Sequence, residues 1–516
     1  MLDTEVLIVG AGPVGLTLAV DLGQRGVRCT LVERKPAPQF LPKMERCNAR
    51  TMEIFRRMGI AEKVRAAGLP AEIPMDVYII RAMNRPPLLR HAYPSVAEAR
   101  RRIDACDDGS MPLEPYQLIS QYTLEPLLKS LAEALPSVTV RYGWEFISFE
   151  QDAAGVSARV GPTLMRAKYL VGCDGGASAV RQQLGIGLSG EGDLLRFHQA
   201  LYRCDELFGM IPIGGGPGHG RHYHVADERS TFLIMQDSTR HWTLHATVGE
   251  DREMAAQFEA TVGVPLKYEM LYVGEWQQNL LLADRYGEGR VFLAGDAVHL
   301  VIPTGGLGMN SGVGDAVDLA WKLEGTLRGW GGPGLLASYE IERRQVGARN
   351  VAASRYAAQG RRKWRGLWRN LDELVAVAEV EQRKSNEMIG AELGYRYAGS
   401  PIIADEPGAS EPGFREYVPT SWPGARLPHV WLENRVAIQD RIGRGYTLLR
   451  FRDCDTSGLE KAMRSAPFEV LDIRDDHARE LYGRDLILVR PDLHVAWRSD
   501  RPPAEPGRLA ALATGH

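Results

Sequence analysis

The sequence predicts an α/β fold: a doubly wound nucleotide-binding domain interleaved with an antiparallel-sheet domain and followed by a small α/β unit at the C-terminus. Three observations predict it. A G-x-G-x-x-G run follows a short apolar segment at the N-terminus, the strand–turn–helix order that dinucleotide binding needs. Two later apolar runs, near 170 and 292, each end in a paired aspartate and glycine. Between them, from 185 to 280, apolar residues alternate with polar ones, the period of half-buried strands.

In chain order, Glu5–Val9 is a strand that runs into Gly10-Ala11-Gly12-Pro13-Val14-Gly15 and a helix from Leu16. The first glycine permits the turn, the second admits a pyrophosphate to the backbone, and the third lets helix and strand pack closely. The helix N-terminus then offers its partial positive charge to the phosphates. Cys29–Val32 is the next strand and ends in Glu33, placed to accept hydrogen bonds from a ribose; a 2′-phosphate would be repelled, so the site suits FAD or NAD rather than NADP. Arg34 neutralises Glu33 or the adenosine edge.

A helix is expected over 48–58, an irregular stretch over 75–112 with a basic run at Arg100–Arg102, and a helix over 120–135. Strands follow at 138–140, 147–149, 156–160 and 169–173, the last delivering Asp174 toward ribityl or ribose hydroxyls, with Arg181 available for a phosphate or a nicotinamide nucleotide. In the alternating region, strands are expected at 221–226, 231–236 and 242–248; alternation puts His222 and His224 on one face and Arg221 and Tyr223 on the other. Phe292–Ala297 repeats the strand-to-aspartate device with Asp296. Pro303-Thr304-Gly305-Gly306-Leu307-Gly308-Met309-Asn310 then opens a helix; its glycines let backbone pass close to a flat ring, and its free N–H groups stabilise negative charge there, as on a reduced isoalloxazine. Helices continue to about 395. The Arg361–Arg365 run reads as a solvated helix face, and Pro401–Pro428 as a Pro/Gly-rich linker.

Apolar residues at 44%, charged residues at 25% and a net charge of −3 describe an ordinary globular chain with no general attraction to nucleic acid or anionic membrane. No apolar run is long enough to span a bilayer, and Asp3 and Glu5 argue against a signal peptide. Six scattered cysteines, without C-x-x-C, imply a reduced, metal-free, cytoplasmic protein.

These motifs together resemble the FAD-dependent aromatic hydroxylases, the group A flavoprotein monooxygenases of the para-hydroxybenzoate hydroxylase superfamily. The nearest branch is that of 3-(3-hydroxyphenyl)propionate hydroxylase and the polyketide aromatic hydroxylases. Arg46–Glu53 is similar to the family's arginine loop and helix beside the flavin, and Gln121–Glu125 to the segment whose glutamine touches the cofactor. Pro423–His429 and Leu488–Asp492 resemble the borders of the branch's thioredoxin-like C-terminal domain. The resemblance implies a Rossmann-like FAD-binding domain over 1–72, 113–184 and 281–395, a substrate-binding sheet domain over 73–112 and 185–280, a linker over 396–428, and the thioredoxin-like domain over 429–516.

It further implies that NAD(P)H reduces FAD and that O₂ gives a flavin C4a-hydroperoxide, which hydroxylates a phenolic substrate. Pro303 and Gly306 would flank the flavin at the reacting face, with Tyr223 and His222 toward the substrate. Gly10, Gly12, Pro13, Val14, Gly15, Glu33, Arg34, Arg46, Gln121, Asp174, Asp296, Pro303, Gly306, Gly308, Met309 and Asn310 would bind the cofactor. No metal, nucleic acid or membrane is implied, and a homodimer is. The competing readings are a flavoprotein oxidase or reductase, and a ligand-binding flavoprotein without hydroxylation.

Overall fold

The computed structural model describes residues 2–433 and 435–516. Its organising element is a sheet of five parallel strands in the spatial order Val138–Tyr142, Cys29–Glu33, Leu2–Val9, Thr163–Gly172 and Val291–Leu293. Gly287–Glu288 adds an antiparallel edge, and a hairpin, Phe146–Asp152 with Gly155–Val160, pairs with the start of the fourth strand. Val6, Leu7, Ile8, Leu170 and Val171 are fully buried, because helices cover both faces of a parallel sheet. Helix Pro13–Gln24 packs against helices Gln121–Glu133 and Gly308–Arg328. The sheet closes through Gly10 N donating to Val32 O (2.8 Å), Cys173 N to Val9 O (2.8 Å) and Ala294 N to Gly172 O (3.0 Å). All three cofactor motifs therefore leave the same carboxyl-terminal sheet edge, where open α/β sheets bind ligands.

The second sheet runs Glu269–Gln277, Arg196–Arg203, His241–Ala246, Phe232–Met235, His222–Val225, Val77–Ile80, Leu89–His91. Neighbours are antiparallel except the parallel pair Val77–Ile80 and His222–Val225. One face buries Tyr202, Tyr223, Leu233, Trp242 and Leu244 with Met254 and Phe258 of helix Glu253–Val262. The opposite face carries Phe197, His222, His224, Phe232 and His245.

The stretch 75–112, expected to be irregular, supplies two of these strands and helix Val96–Ala105, which opens on a Ser95/Glu98 capping box. Val77–Ile80 is buried at every position, so it shows no alternation by which sequence could betray it.

The C-terminal unit orders its strands Phe468–Asp472, Tyr446–Arg450, Leu486–Val489, Val495–Ser499, with the first pair parallel and the rest antiparallel. Helices Ser457–Ala462, Asp476–Tyr482 and Pro506–Thr514 complete a βαβαββα succession. The Pro/Gly-rich stretch before it is packed rather than free: Ile402 and Leu427 are fully buried, and Arg396 bridges Ala425. No helix among the described residues is long and apolar enough to cross a membrane.

Candidate active site

The three fingerprint glycines have different reasons to be glycine. A Cβ on Gly10, whose φ is +104°, would lie 2.4 Å from Cys173 O, and one on Gly15 would lie 2.0 Å from Gly10 O. Both are demanded by the protein's own packing. A Cβ on Gly12 would meet no protein atom within 4 Å. The space beside Gly12 lies at the N-terminus of helix Pro13–Gln24, where no side chain caps the first N–H groups, the setting for a pyrophosphate. Pro13 is buried in the first turn, and Val14 wedges against Gly295 and Gly312, locking the first motif to the third. Glu33 is held by Ala11 N donating to Oε2 and Lys35 N to Oε1, each at 3.0 Å, at the end of its strand. Arg34 is exposed and makes no ion pair among the described residues.

Asp296 makes no hydrogen bond among the described residues; its side chain is open to the groove yet ringed by protein, and this desolvation pushes its carboxyl above the usual range. Asp315 lies beneath it, a residue sequence reasoning missed. Its Oδ2 accepts from Gly295 N (3.1 Å) and meets His299 Nε2 (2.8 Å), while Oδ1 accepts from Arg343 Nε (2.7 Å), so the turn that presents Asp296 is fixed. Asp174 caps the next short helix, accepting from Ser178 Oγ (2.5 Å) and Val180 N (3.2 Å), and Arg181 donates to Ala297 O and Gly176 O rather than standing free. Gln121 donates to Glu125 Oε1 at 2.6 Å.

The loop before helix Gly308–Arg328 has positive φ at Gly305 (+92°) and Gly306 (+66°), and no side chain caps the helix. Asn310 clamps it: Oδ1 accepts from Asn48 N (2.9 Å), and Nδ2 donates to Arg46 O (3.1 Å) and Gly306 O (2.6 Å). Arg46 Nη2 donates to Gly305 O (2.7 Å) and pairs with Glu392 (3.1 Å). Gly308 and Met309 are half-buried, and Pro303 is exposed at the loop's edge. The reserved space at Gly12, the unpaired Asp296 and the uncapped helix behind Gly305–Gly306 fit the phosphates, ribityl chain and ring of FAD in turn.

Glu45 precedes Arg46 and points elsewhere. Both of its oxygens lie 2.9 Å from His222 Nε2. Burial would raise the Glu45 carboxyl, but His222, Arg221 and Arg46 outweigh it and hold it at about 2. Burial keeps the His222 ring below the ordinary histidine range even so, and its enclosed Nδ1 has no partner among the described residues. Tyr223 corrects the sequence expectation. It is wholly buried on the other face, stacked on Tyr78 at 5.6 Å, its hydroxyl donating to Gly218 O (3.0 Å). Strand alternation separated it from His222 as expected, but the helix-covered face, not the pocket, took the tyrosine.

His245 stacks on Phe232 (4.5 Å), and its Nδ1 accepts from Trp276 Nε1 (3.1 Å), which requires a neutral ring; burial brings it down to about 3. In the unfolded chain it takes a proton at its ordinary value near 6.5. Stability is therefore complete above 6.5 and falls as pH drops from 6.5 toward 3, by up to about 2 kcal/mol at pH 5 from this group alone. Urea midpoints of wild type and His245→Phe at pH 7.5 and 5.0 should show a smaller acid loss in the variant; equal losses would clear His245 of the effect.

Comparison with known proteins agrees with this geometry. Residues 3–354 match the FAD binding domain family, and 420–514 the C-terminal domain of aromatic-ring hydroxylases. The FAD-dependent monooxygenase apdD of Emericella nidulans is 33% identical over 99% of this chain and 90% of its own. The solved structure of RebC, soaked with chromopyrrolic acid and with bound 7-carboxy-K252c, superposes with a TM-score of 0.90 at 32% identity, covering 100% of this chain and 99% of that one. Aklavinone-11 hydroxylase in ternary complex with FAD and aklavinone gives 0.84 at 30% identity, covering 99% and 98%. With an FAD groove at the sheet edge and a hydroxylase-type C-terminal domain on one chain, the protein belongs to the FAD-dependent aromatic-ring hydroxylases and is an FAD-dependent monooxygenase.

Proposed function

We propose that the enzyme uses NAD(P)H and O₂ to hydroxylate a phenol held between the Pro303–Asn310 loop and the sheet face that bears His222. The observation that carries this reading is the divergence of two adjacent side chains: Arg46 anchors the loop at Gly305, and Glu45 anchors the sheet at His222. The two walls are thus tied at one point, and the cleft beside it is where ring and flavin would meet.

When bound and reduced, FAD supplies activated oxygen. The chain supplies the rest. Gly10, Gly12, Pro13, Val14 and Gly15 seat the pyrophosphate; Glu33 and Arg34 receive the adenosine ribose; Asp174, Asp296 and Gln121 meet the ribityl side. Gly308, Met309 and Asn310 would present backbone N–H groups to the ring, Gly306, whose own N–H goes to Pro303 O, would lie against it, Arg46 holds the loop through Gly305 O, and Pro303 borders the reacting face. His222 would accept the phenol proton at Nδ1 once the bound substrate opens that enclosed side of the ring: burial keeps the ring neutral, and Glu45 takes the Nε2 proton's hydrogen bond and fixes the tautomer. A phenolate attacks an electrophilic oxygen far faster than a phenol does. Ranges 1–72, 113–184 and 281–395 serve the cofactor, 73–112 and 185–280 the substrate, and 429–516 a structural role. We infer a homodimer by family resemblance, and a cytoplasmic location from six cysteines that are all free.

The test is NAD(P)H oxidation with parallel O₂ uptake across phenols from simple to polycyclic. One class should stimulate both and yield a hydroxylated product, and His222→Gln should lower kcat about 10²-fold or more and abolish the acid limb of its pH profile. A slow rate that no phenol changes would remove the hydroxylase reading in favour of other flavin chemistry.

A further inference from the structure

Helix Pro333–Arg365 runs from the segment before the Pro303 loop to the sheet face that bears His222. Along a single face it places Ser354, Ala358, Arg361 and Arg365, spaced four, three and four residues apart. Ser354 Oγ donates to Ile302 O (2.7 Å), and Ala358 packs on Ile302, just before the Pro303 loop. At the other end Arg361 and Arg365 lie over the Phe232 ring, at 5.8 and 5.3 Å from its centroid, on the sheet face that also bears His222. Seven residues of helix separate Ser354 from Arg361, a rise of about 10 Å from the loop.

The cations at this far end outnumber the anions. Arg365 meets Ser230 O and His224 Nδ1, though its Nε is enclosed without a partner among the described residues. Arg361 makes no hydrogen bond or ion pair among the described residues, and its Nε is enclosed. Arg221 is 5% exposed, with Asn386 Oδ1 (3.1 Å) as its one side-chain partner among the described residues and its Nε unmet. The carboxylate both guanidinium groups feel is Glu45, which His222 already occupies. Burial accordingly draws Arg361 down to about 10. Enclosed guanidinium groups without a counter-charge are costly. Stacked Phe197 and Trp276 (5.1 Å), with Phe232, continue the same face as an aromatic platform.

We propose that Arg361, with Arg221 adding to its field, binds a carboxylate on the substrate, which is therefore a multi-ring aromatic acid whose acid group lies at the end of the molecule away from the Pro303 loop. A guanidinium fork matches a planar carboxylate, and fused rings span the distance while lying on the platform. The inference rests on the proposed reading of this cleft as the substrate site.

The test titrates the FAD-loaded enzyme with two probes, 4,5-dihydroxyanthraquinone-2-carboxylic acid and its uncharged 2-hydroxymethyl counterpart, and follows the flavin spectrum. The acid should bind about 10- to 100-fold tighter. Arg361→Gln should erase that preference, Arg361→Lys should keep part of it, and both variants should retain wild-type FAD content and Tm. Equal Kd values in the wild type, a preference that survives Arg361→Gln, or no binding of either probe overturns the anion site. Those outcomes leave the hydroxylase reading intact if other phenols drive coupled O₂ uptake. Acid-selective binding together with no hydroxylation of any phenol would do the reverse.

Discussion

Gly12→Val is expected to give a folded protein without FAD. The backbone at Gly12 has φ −72° and ψ 177°, ordinary extended values, and a Cβ there touches no protein atom within 4 Å. The apo fold therefore tolerates valine, and its Tm should move by no more than about 2 °C, the scale of a neutral surface change. The isopropyl group instead occupies the volume where phosphate oxygens approach the helix N-terminus. Losing those charge-assisted hydrogen bonds, each worth about 1.5–3 kcal/mol, should weaken FAD by at least about 100-fold. Gly15→Ala provides the contrast: its Cβ would sit 2.0 Å from Gly10 O, so that variant should lose stability even as apoprotein. Absorbance near 450 nm and calorimetry separate the two effects. A yellow Gly12→Val protein would show that the space beside Gly12 is not the pyrophosphate's.

Arg490→Met should be the most destabilising single change outside the cofactor groove. Arg490 is fully buried and pairs with Glu342 (2.6 Å), Asp492 (2.6 Å) and Asp318 (3.1 Å), while Lys322 pairs with Asp318 (2.7 Å) and Glu342 (2.6 Å). Three carboxylates thus face two cations. Burial, with Glu342 and Asp492 adding to it, pushes the Asp318 carboxyl above its ordinary range, against the pull of Lys322 and Arg490. Without Arg490 the remaining acids share one lysine in a dry interior. Removing one partner from such a cluster costs about 3–5 kcal/mol. Guanidinium unfolding should show that loss, and Arg490→Met with Glu342→Gln should recover part of it, since the partners are coupled. A loss below about 1 kcal/mol would mean that water enters the cluster. The cluster joins the C-terminal unit to helix Gly308–Arg328, which follows the Pro303–Leu307 loop proposed to meet the flavin, so FAD affinity is a second readout.

What was legible in the sequence follows from how local each signal is. Gly10 and Gly15 announce themselves because only glycine meets the protein's own steric demand there, Gly12 because the G-x-G-x-x-G spacing marks it although no protein atom crowds it, and Asp296 because a buried strand delivers it to an edge. The His222–Glu45 pair and the Arg221–Arg361 surplus were not legible: each joins residues more than a hundred positions apart, and no period links them. The Arg361–Arg365 run reads as solvated in sequence, yet Trp364 is fully buried and Arg365 is 9% exposed. The local pattern reports charge, whereas the sheet packed against this helix decides where the charge goes. Tyr223 fails for a related reason. Alternation fixes which residues share a face, but not which face the helix covers.

The parallel sheet carries a further consequence for how the protein is made. Leu2–Val9 pairs on one side with Cys29–Glu33, but its other neighbour is Thr163–Gly172, and the sheet is finished by Val291–Leu293. At ribosomal speeds of about 5–20 residues per second, the apolar edge at Val6–Val9 waits about 8–30 s for its partner strand. The antiparallel sheet is synthesised during the interval before Val291. Nascent chains that stop short of residue 290 expose an unfilled strand edge, and chaperone demand during synthesis should concentrate in that window.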